Sequence, residues 1–229
     1  MKLLDRLRGR LIVSVQAWAG SAIDDPHVLC AMAQAAVANG AAAVRMQGVA
    51  NIRAARGRLD VPIVGLIKRE YEGFEPYITP TLEEVRAVAR AGADVVAFDA
   101  TARTRPGGCT TAAILDEIDA VGLIAMADCA TVGDALNAVR EGAPILATTL
   151  CGYTAETQGT PLPALGLVEQ LAELEAFTVC EGGVHSPDVL AAAFAAGADA
   201  VVVGTAITNI DALVREFAAR APKTIAREG

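Results

Sequence analysis

The sequence predicts a (β/α)₈ barrel, a TIM barrel, as one domain over residues 1–229. Three observations carry this. Four short apolar runs share one punctuation: Gly40-Ala-Ala-Ala-Val44, Gly92-Ala-Asp-Val-Val96, Gly142-Ala-Pro-Ile-Leu146 and Gly197-Ala-Asp-Ala-Val201. Their glycines lie 52, 50 and 55 residues apart, a period too long for one βα unit and suited to two. Halfway between them fall four further apolar runs, Leu11–Gln16, Pro62–Lys68, Leu123–Asp128 and Phe177–Glu181. Eight Val/Ile-rich runs without sustained polar alternation read as parallel strands buried on both faces.

The elements follow in order. Met1–Arg10 is basic and short, and reads as a cap helix under the barrel floor. Between the strands lie helical patterns at Pro26–Asn39, Asn51–Gly57, Leu82–Ala91, Ala112–Val121, Val132–Glu141, Leu165–Glu175, Pro187–Ala196 and Ile210–Ala219. The four periodic glycines each close a helix, because glycine accepts positive φ just past a helix end. Residues 221–229 read as a C-terminal tail. The long connection Arg69–Pro80 holds Tyr71, Phe74 and Tyr77 among turn residues, and predicts a lid or a small hairpin over the mouth. A doubly wound sheet is the alternative, but it rarely shows four-fold periodicity.

Composition removes several classes of function. The net charge is −8 and hydrophobic residues make up 53% of the chain, with 48 alanines and only 4% aromatics. Disorder is excluded by the apolar content. Overall acidity, with no block of like charges, argues against nucleic acid and against an anionic membrane surface. The longest charge-free stretch, Pro26–Val44, contains proline, histidine, glutamine, asparagine and glycine, and reads as a helix running into a strand rather than a membrane span. No secretory signal is visible. Five cysteines at wide spacing, without a CxxC pair, read as free thiols in the cytoplasm.

Barrel chemistry sits at the C-terminal strand ends. The strands are apolar until their last residues, which are Gln16, Arg45, Lys68, Asp99, Asp128, Thr148 and Glu181. Seven polar ends on one face favour a site over a merely solvated rim. The seventh strand runs on into Gly182-Gly183 and the eighth ends Val203-Gly204-Thr205, where such barrels commonly hold a phosphate on backbone N–H groups. With only His27 and His185, in separate units, a His-rich metal site cannot be built, and no Rossmann or P-loop fingerprint appears. No cofactor is expected. Cys180 precedes Glu181 in a strand, so the two should face opposite sides.

What remains suits proton transfer next to a carbonyl. Lys68 can act as a base if burial or a nearby cation lowers its pKa, and Arg45 on the adjacent strand could be that cation. Glu181, across the barrel, can be a second acid/base, and two groups on opposite sides of a carbon allow inversion.

These residues also carry a resemblance. The chain is similar to the N-acetylmannosamine-6-phosphate 2-epimerase family over nearly its whole length. The likeness runs through Val13–Ala17, Val44–Val49, Pro62–Arg69, Tyr77–Thr81, Phe98–Thr101, Met126–Asp128, Thr148–Thr154 and Val203–Thr208. Its most specific segments are Ile67-Lys68-Arg69 and Tyr77-Ile78-Thr79-Pro80-Thr81. The resemblance implies a cofactor-independent epimerase of N-acetylmannosamine 6-phosphate and N-acetylglucosamine 6-phosphate, in amino-sugar and sialic acid catabolism. It implies Lys68 and Glu181 as the catalytic pair. Gln16, Arg45, Asp128 and Tyr153 would hold the open-chain sugar, and Gly183, Gly204 and Thr205 the phosphate. A homodimer is possible. Three departures stand out. Gly183 and Asn209-Ile210 replace a basic residue and Arg-Pro, both removing positive charge near the expected phosphate, and Arg105-Pro-Gly-Gly108 lacks an acidic residue before its last glycine. A basic side chain restored at position 183 should then tighten phosphate binding. Other readings are an epimerase on an unphosphorylated sugar, a lysine Schiff-base enzyme, or a non-catalytic sugar-phosphate-binding barrel.

Overall fold

A computed structural model describes residues 2–222. The expected tail at 221–229 lies almost wholly outside the described residues.

Eight parallel strands close into a barrel in sequence order. They are β1 (Arg10–Val15), β2 (Ala43–Gln47), β3 (Ile63–Leu66), β4 (Val95–Asp99), β5 (Ile124–Asp128), β6 (Ile145–Ala147), β7 (Phe177–Glu181) and β8 (Ala200–Val203). The helices are α1 (Leu3–Leu7), α2 (Pro26–Ala38), α3 (Val49–Arg56), α4 (Leu82–Ala91), α5 (Thr111–Ala120), α6 (Val132–Arg140), α7 (Leu165–Ala172), α8 (Pro187–Ala195), α9 (Thr205–Thr208) and α10 (Ile210–Arg220). The (β/α)₈ architecture expected from the sequence is therefore the fold.

The differences lie at element ends. The Gly-Ala pairs that open four of the apolar runs are turns, so β2, β4, β6 and β8 each begin two residues later than their first apolar residue. Gly40, Gly92, Gly142 and Gly197 have φ between +96° and +106°, the conformation that closes a helix. Asp25, Thr131 and Ser186 accept backbone N–H groups at the starts of α2, α6 and α8, and Thr81 and Glu84 form a capping box on α4. α7 ends at Ala172, short of the expected Glu175.

Strand alternation sorts the core. Ile12, Ala43, Val64, Leu66, Val95, Ala97, Met126, Ile145, Ala147, Phe177, Val179, Ala200 and Val202 point into the barrel and fill it. The alternate residues pack outward against the helices. α1 closes the barrel floor by inserting Leu7, 1% exposed, into the inner cluster; burying a leucine is worth about 1.5–3 kcal/mol. Arg8 follows, paired with Asp199 and lying 5.3 Å over the Phe177 ring. Cys180 faces the helices, away from Glu181, as the alternation requires.

Residues Arg69–Pro80 form a small hairpin over the mouth, closed by antiparallel bridges Lys68↔Ile78 and Tyr71↔Phe74. It is fastened to the barrel. Thr79 is fully buried; its Oγ1 donates to Ala97 O at 2.7 Å and accepts from Ile67 N at 3.2 Å. Ile78 O accepts from Asp99 N, and Tyr71 Oη donates to Glu84 Oε1.

Candidate active site

Continuing each inward-pointing series past the apolar core, by two steps through Ser14 on β1 and by one on the others, gives the lining of the mouth: Gln16, Arg45, Lys68, Asp99, Asp128, Thr149, Glu181 and Gly204. Apolar side chains stop there because the C-terminal end of the barrel opens to solvent.

Arg45 is the centre of this layer. It is 2% exposed, its Nη2 donates to Asp128 Oδ2 at 2.6 Å and its Nη1 to Glu181 Oε1. One guanidinium thus spans two carboxylates, from β5 and β7. Burial disfavours the Arg45 cation, but Asp128 and Glu181 outweigh that and hold the proton on. Asp128 is fully buried; loss of water pushes its pKa up to about 7, with the Glu181 charge adding to the rise.

Lys68 reaches the open mouth from the first residue of the hairpin and keeps contact with solvent. The surrounding walls nonetheless remove enough water to lower its pKa, and Arg45 lowers it further, against the opposing pull of Glu181 and Asp128. Tyr77, on the returning hairpin strand, sits within range of Asp128, Arg45, Asp99 and Arg103; burial raises its pKa first, then Asp128.

Gln16 lies just past the end of β1. Its Nε2 donates to Ser14 Oγ at 2.8 Å, while its buried Oε1 has no partner. An unpaired buried acceptor suits a ligand N–H or O–H. Gly204 lies close to the same Ser14.

Gly183 has φ +74°, and a Cβ there would stand 2.4 Å from Leu162 Cβ, 2.8 Å from Leu162 C and 3.0 Å from Pro163 N. Two of those atoms are backbone and cannot swing aside. The expectation that a basic side chain at 183 would tighten phosphate binding is therefore overturned, because the loop before α7 fills its space. Gly183 O accepts from, or is paired with, His185 Nδ1 at 2.9 Å. Thr205 and Ala206 open α9, where first-turn N–H groups have no acceptor within the helix. Asn209 spends its side chain on capping α10 through Ala212 N. Tyr153 is 59% exposed and stands over Gly182.

Two of the polar strand ends do not face the mouth freely. Thr148 is fully buried, and its Oγ1 donates to Glu181 O and accepts from Glu181 N, stitching β6 to β7. Asp99 is taken by Thr101 and by Arg103, 2.7 Å away. Sequence reasoning gave no site role to Thr149 or Arg103, and read Tyr77 only as part of the lid or hairpin. Alternation would have found the first, since Ile145, Ala147 and Thr149 share a face. Among the described residues no group of three His, Cys, Asp or Glu is placed to hold a metal, and no helix is long and apolar enough to cross a membrane.

Comparison with known proteins agrees on one family. The family model described as "Putative N-acetylmannosamine-6-phosphate epimerase" matches residues 29–223. The "Putative N-acetylmannosamine-6-phosphate 2-epimerase" of Yersinia pseudotuberculosis is 46% identical over 209 residues, covering 91% of this chain and 88% of its own. A Salmonella typhimurium relative described in the same words is 44% identical over 224 residues, covering 95% and 97%. Among solved structures, the N-acetylmannosamine-6-phosphate 2-epimerase from Clostridium perfringens superposes with a TM-score of 0.93 at 36% identity, covering 96% of this chain and 97% of that one. More distant barrels, such as a thiamine phosphate pyrophosphorylase from Pyrococcus furiosus at 16% identity and TM-score 0.60, share the fold alone.

Proposed function

The chain belongs to the N-acetylmannosamine-6-phosphate epimerase family, and from that premise we propose that it interconverts N-acetylmannosamine 6-phosphate and N-acetylglucosamine 6-phosphate by moving the C2 proton of the open-chain sugar. The observation that carries this reading is that Lys68, two residues past β3, and Glu181, at the end of β7, lie around one mouth with Arg45 between them. Lys68, its pKa lowered by desolvation and by Arg45, takes the C2 proton. Glu181 returns a proton to the opposite face, and the reverse assignment serves the reverse reaction. Gln16 Oε1 suits the acetamido N–H, and Arg45 and Asp128 orient the sugar. The phosphate is assigned to backbone N–H groups of Gly183, Gly204 and Thr205, with Tyr153 at that end. No step requires a metal or a nucleotide. The reaction belongs to amino-sugar and sialic acid catabolism, and the five free thiols suit the cytoplasm.

The test is NMR of either sugar phosphate with the enzyme in D₂O. The expected product carries deuterium at C2, in untreated and EDTA-treated protein alike. Inversion without C2 label, or activity lost to EDTA and restored by a divalent ion, overturns the mechanism.

We also propose that a second copy of the chain covers α10. The support is a helix with no buried residue, carrying Ile210, Val214 and Phe217 on one stripe at 53%, 58% and 76% exposure, beside Trp18 and Ile207. Isolated apolar side chains are ordinary on a surface; a contiguous stripe marks an interface.

A further inference from the structure

Away from the Arg45 cluster, the loop between β4 and α5 buries a cation without an anion. Arg105 is 4% exposed. Its Nη2 donates to two carbonyls, Asp99 O and Thr101 O, and its Nε is buried with no partner. The carboxylates within its range, Asp99 and Asp134, are taken. Asp99 is held by Arg103 and Thr101, and Asp134 by the N–H groups of Ala102, Ala130 and Thr131. Taking a guanidinium out of water without a counter-charge is costly, and burial pushes the Arg105 pKa down. Arg105 lines a cavity of about 390 Å³ between this loop, α5 and α6, within the size range of small-molecule sites. The first turn of α5 opens into it. Thr111 and Ala112 are part of the lining, and their N–H groups have no acceptor within the helix, because the Thr110 cap takes Ala113 N. Asn137 and Glu141, from α6 and its end, line it as well.

We propose that this cavity is a second ligand site that takes a small phosphorylated polyol, with the phosphate on Arg105 and the N–H groups of Thr111 and Ala112, and the hydroxyls on Asn137 and Glu141. A guanidinium beside a helix N-terminus favours a phosphate over a neutral group. The rest of the lining points to what the phosphate is carried on. A carboxylate such as Glu141 repels a bare anion but accepts hydrogen bonds from hydroxyl groups, and the Asn137 amide can donate or accept. The site is separate from the phosphate cradle assigned to the loops after β7 and β8, and it binds such a ligand whatever the mouth turns over.

Cys109 supplies a local readout. It lines the cavity, and it is the one cysteine of the five that is not buried. Alkylation of Cys109 by iodoacetamide, an uncharged reagent, is followed by mass spectrometry on the full chain, with and without glucose 6-phosphate as the probe. The sugar phosphate should slow alkylation in the wild-type protein, and glucose alone should not. Arg105→Gln should raise the concentration that half-protects Cys109 by about tenfold or more, the loss of one hydrogen bond to a charged group. Because that change also frees two carbonyls, Ala112→Asp is the second variant. It sets a carboxylate in the first turn of α5, where a negative charge is favoured, and should abolish protection in a folded protein. Equal alkylation rates with and without glucose 6-phosphate in the wild type, or protection that survives Ala112→Asp, overturns the site. If inorganic phosphate protects as well as the sugar phosphate, Asn137 and Glu141 contribute nothing and the ligand class is wrong.

Discussion

Arg45 influences Lys68 in two ways. Its charge lowers the Lys68 pKa directly, and it pairs with the two carboxylates that pull that pKa up. A free lysine titrates near ~10.4, and only the neutral amine removes a proton. The rising limb of kcat/KM against pH should therefore lie below that value in the wild-type enzyme. Arg45→Gln removes the cation and leaves Asp128 and Glu181 unopposed, so the limb should move to higher pH while activity near neutrality falls. A limb that stays in place, or moves down, shows that the titrating base is not Lys68. Lys68→Ala should lose about 10²–10⁴-fold in C2 exchange while still binding the sugar phosphate, measured by calorimetry. Lys68→Arg should be no better, because a guanidinium keeps its proton.

Within the elements, the hairpin places the base. Lys68 leads into Arg69–Pro80 on the outgoing side, and its partner across the bridge on the return path, Ile78, precedes the buried Thr79. Thr79 has φ +43°, a conformation rare for a β-branched residue, and it is held there by hydrogen bonds to Ile67 and Ala97. Thr79→Val deletes the hydroxyl and leaves Ala97 O and Ile67 N short of a partner, at about 1–3 kcal/mol for each buried group. It should lower the melting temperature and reduce kcat more than it alters KM, with Thr79→Ser close to wild type. Equal loss in both substitutions would locate the effect in packing rather than in the hydroxyl. Much of this was legible in the sequence. Glycine punctuation placed four of the strands and the apolar runs between them the other four, and the polar ends marked Arg45, Lys68, Asp128 and Glu181. Thr148 was taken for the β6 contribution because it is the first polar residue after the apolar run. The alternation that placed Cys180 opposite Glu181 points instead to Thr149. The crowding at Gly183 had no local signal, since it depends on where a loop twenty residues earlier happens to run.

For the whole molecule, the apolar stripe on α10 predicts association. Sedimentation velocity should give a dimer whose melting temperature falls at low protein concentration, and Val214→Asp with Phe217→Asp should give a monomer whose melting temperature does not change with concentration. A monomeric wild-type chain would leave Trp18, its ring 5.8 Å from the Arg215 guanidinium, as a local contact only. The mouth, by contrast, is assembled within one chain from distant parts of it. The turn after β7 and the segment before α7 interlock there, with Leu162 and Pro163 occupying the volume above Gly183. This makes the two segments a single heritable unit. A long cation at position 183 and this loop path exclude each other, so a side chain added at 183 has to follow a change in the loop. Recombining strands β6 and β7 from different relatives should respect that boundary, and transplanting a new anion-binding group into this barrel begins with rerouting the loop, not with the glycine.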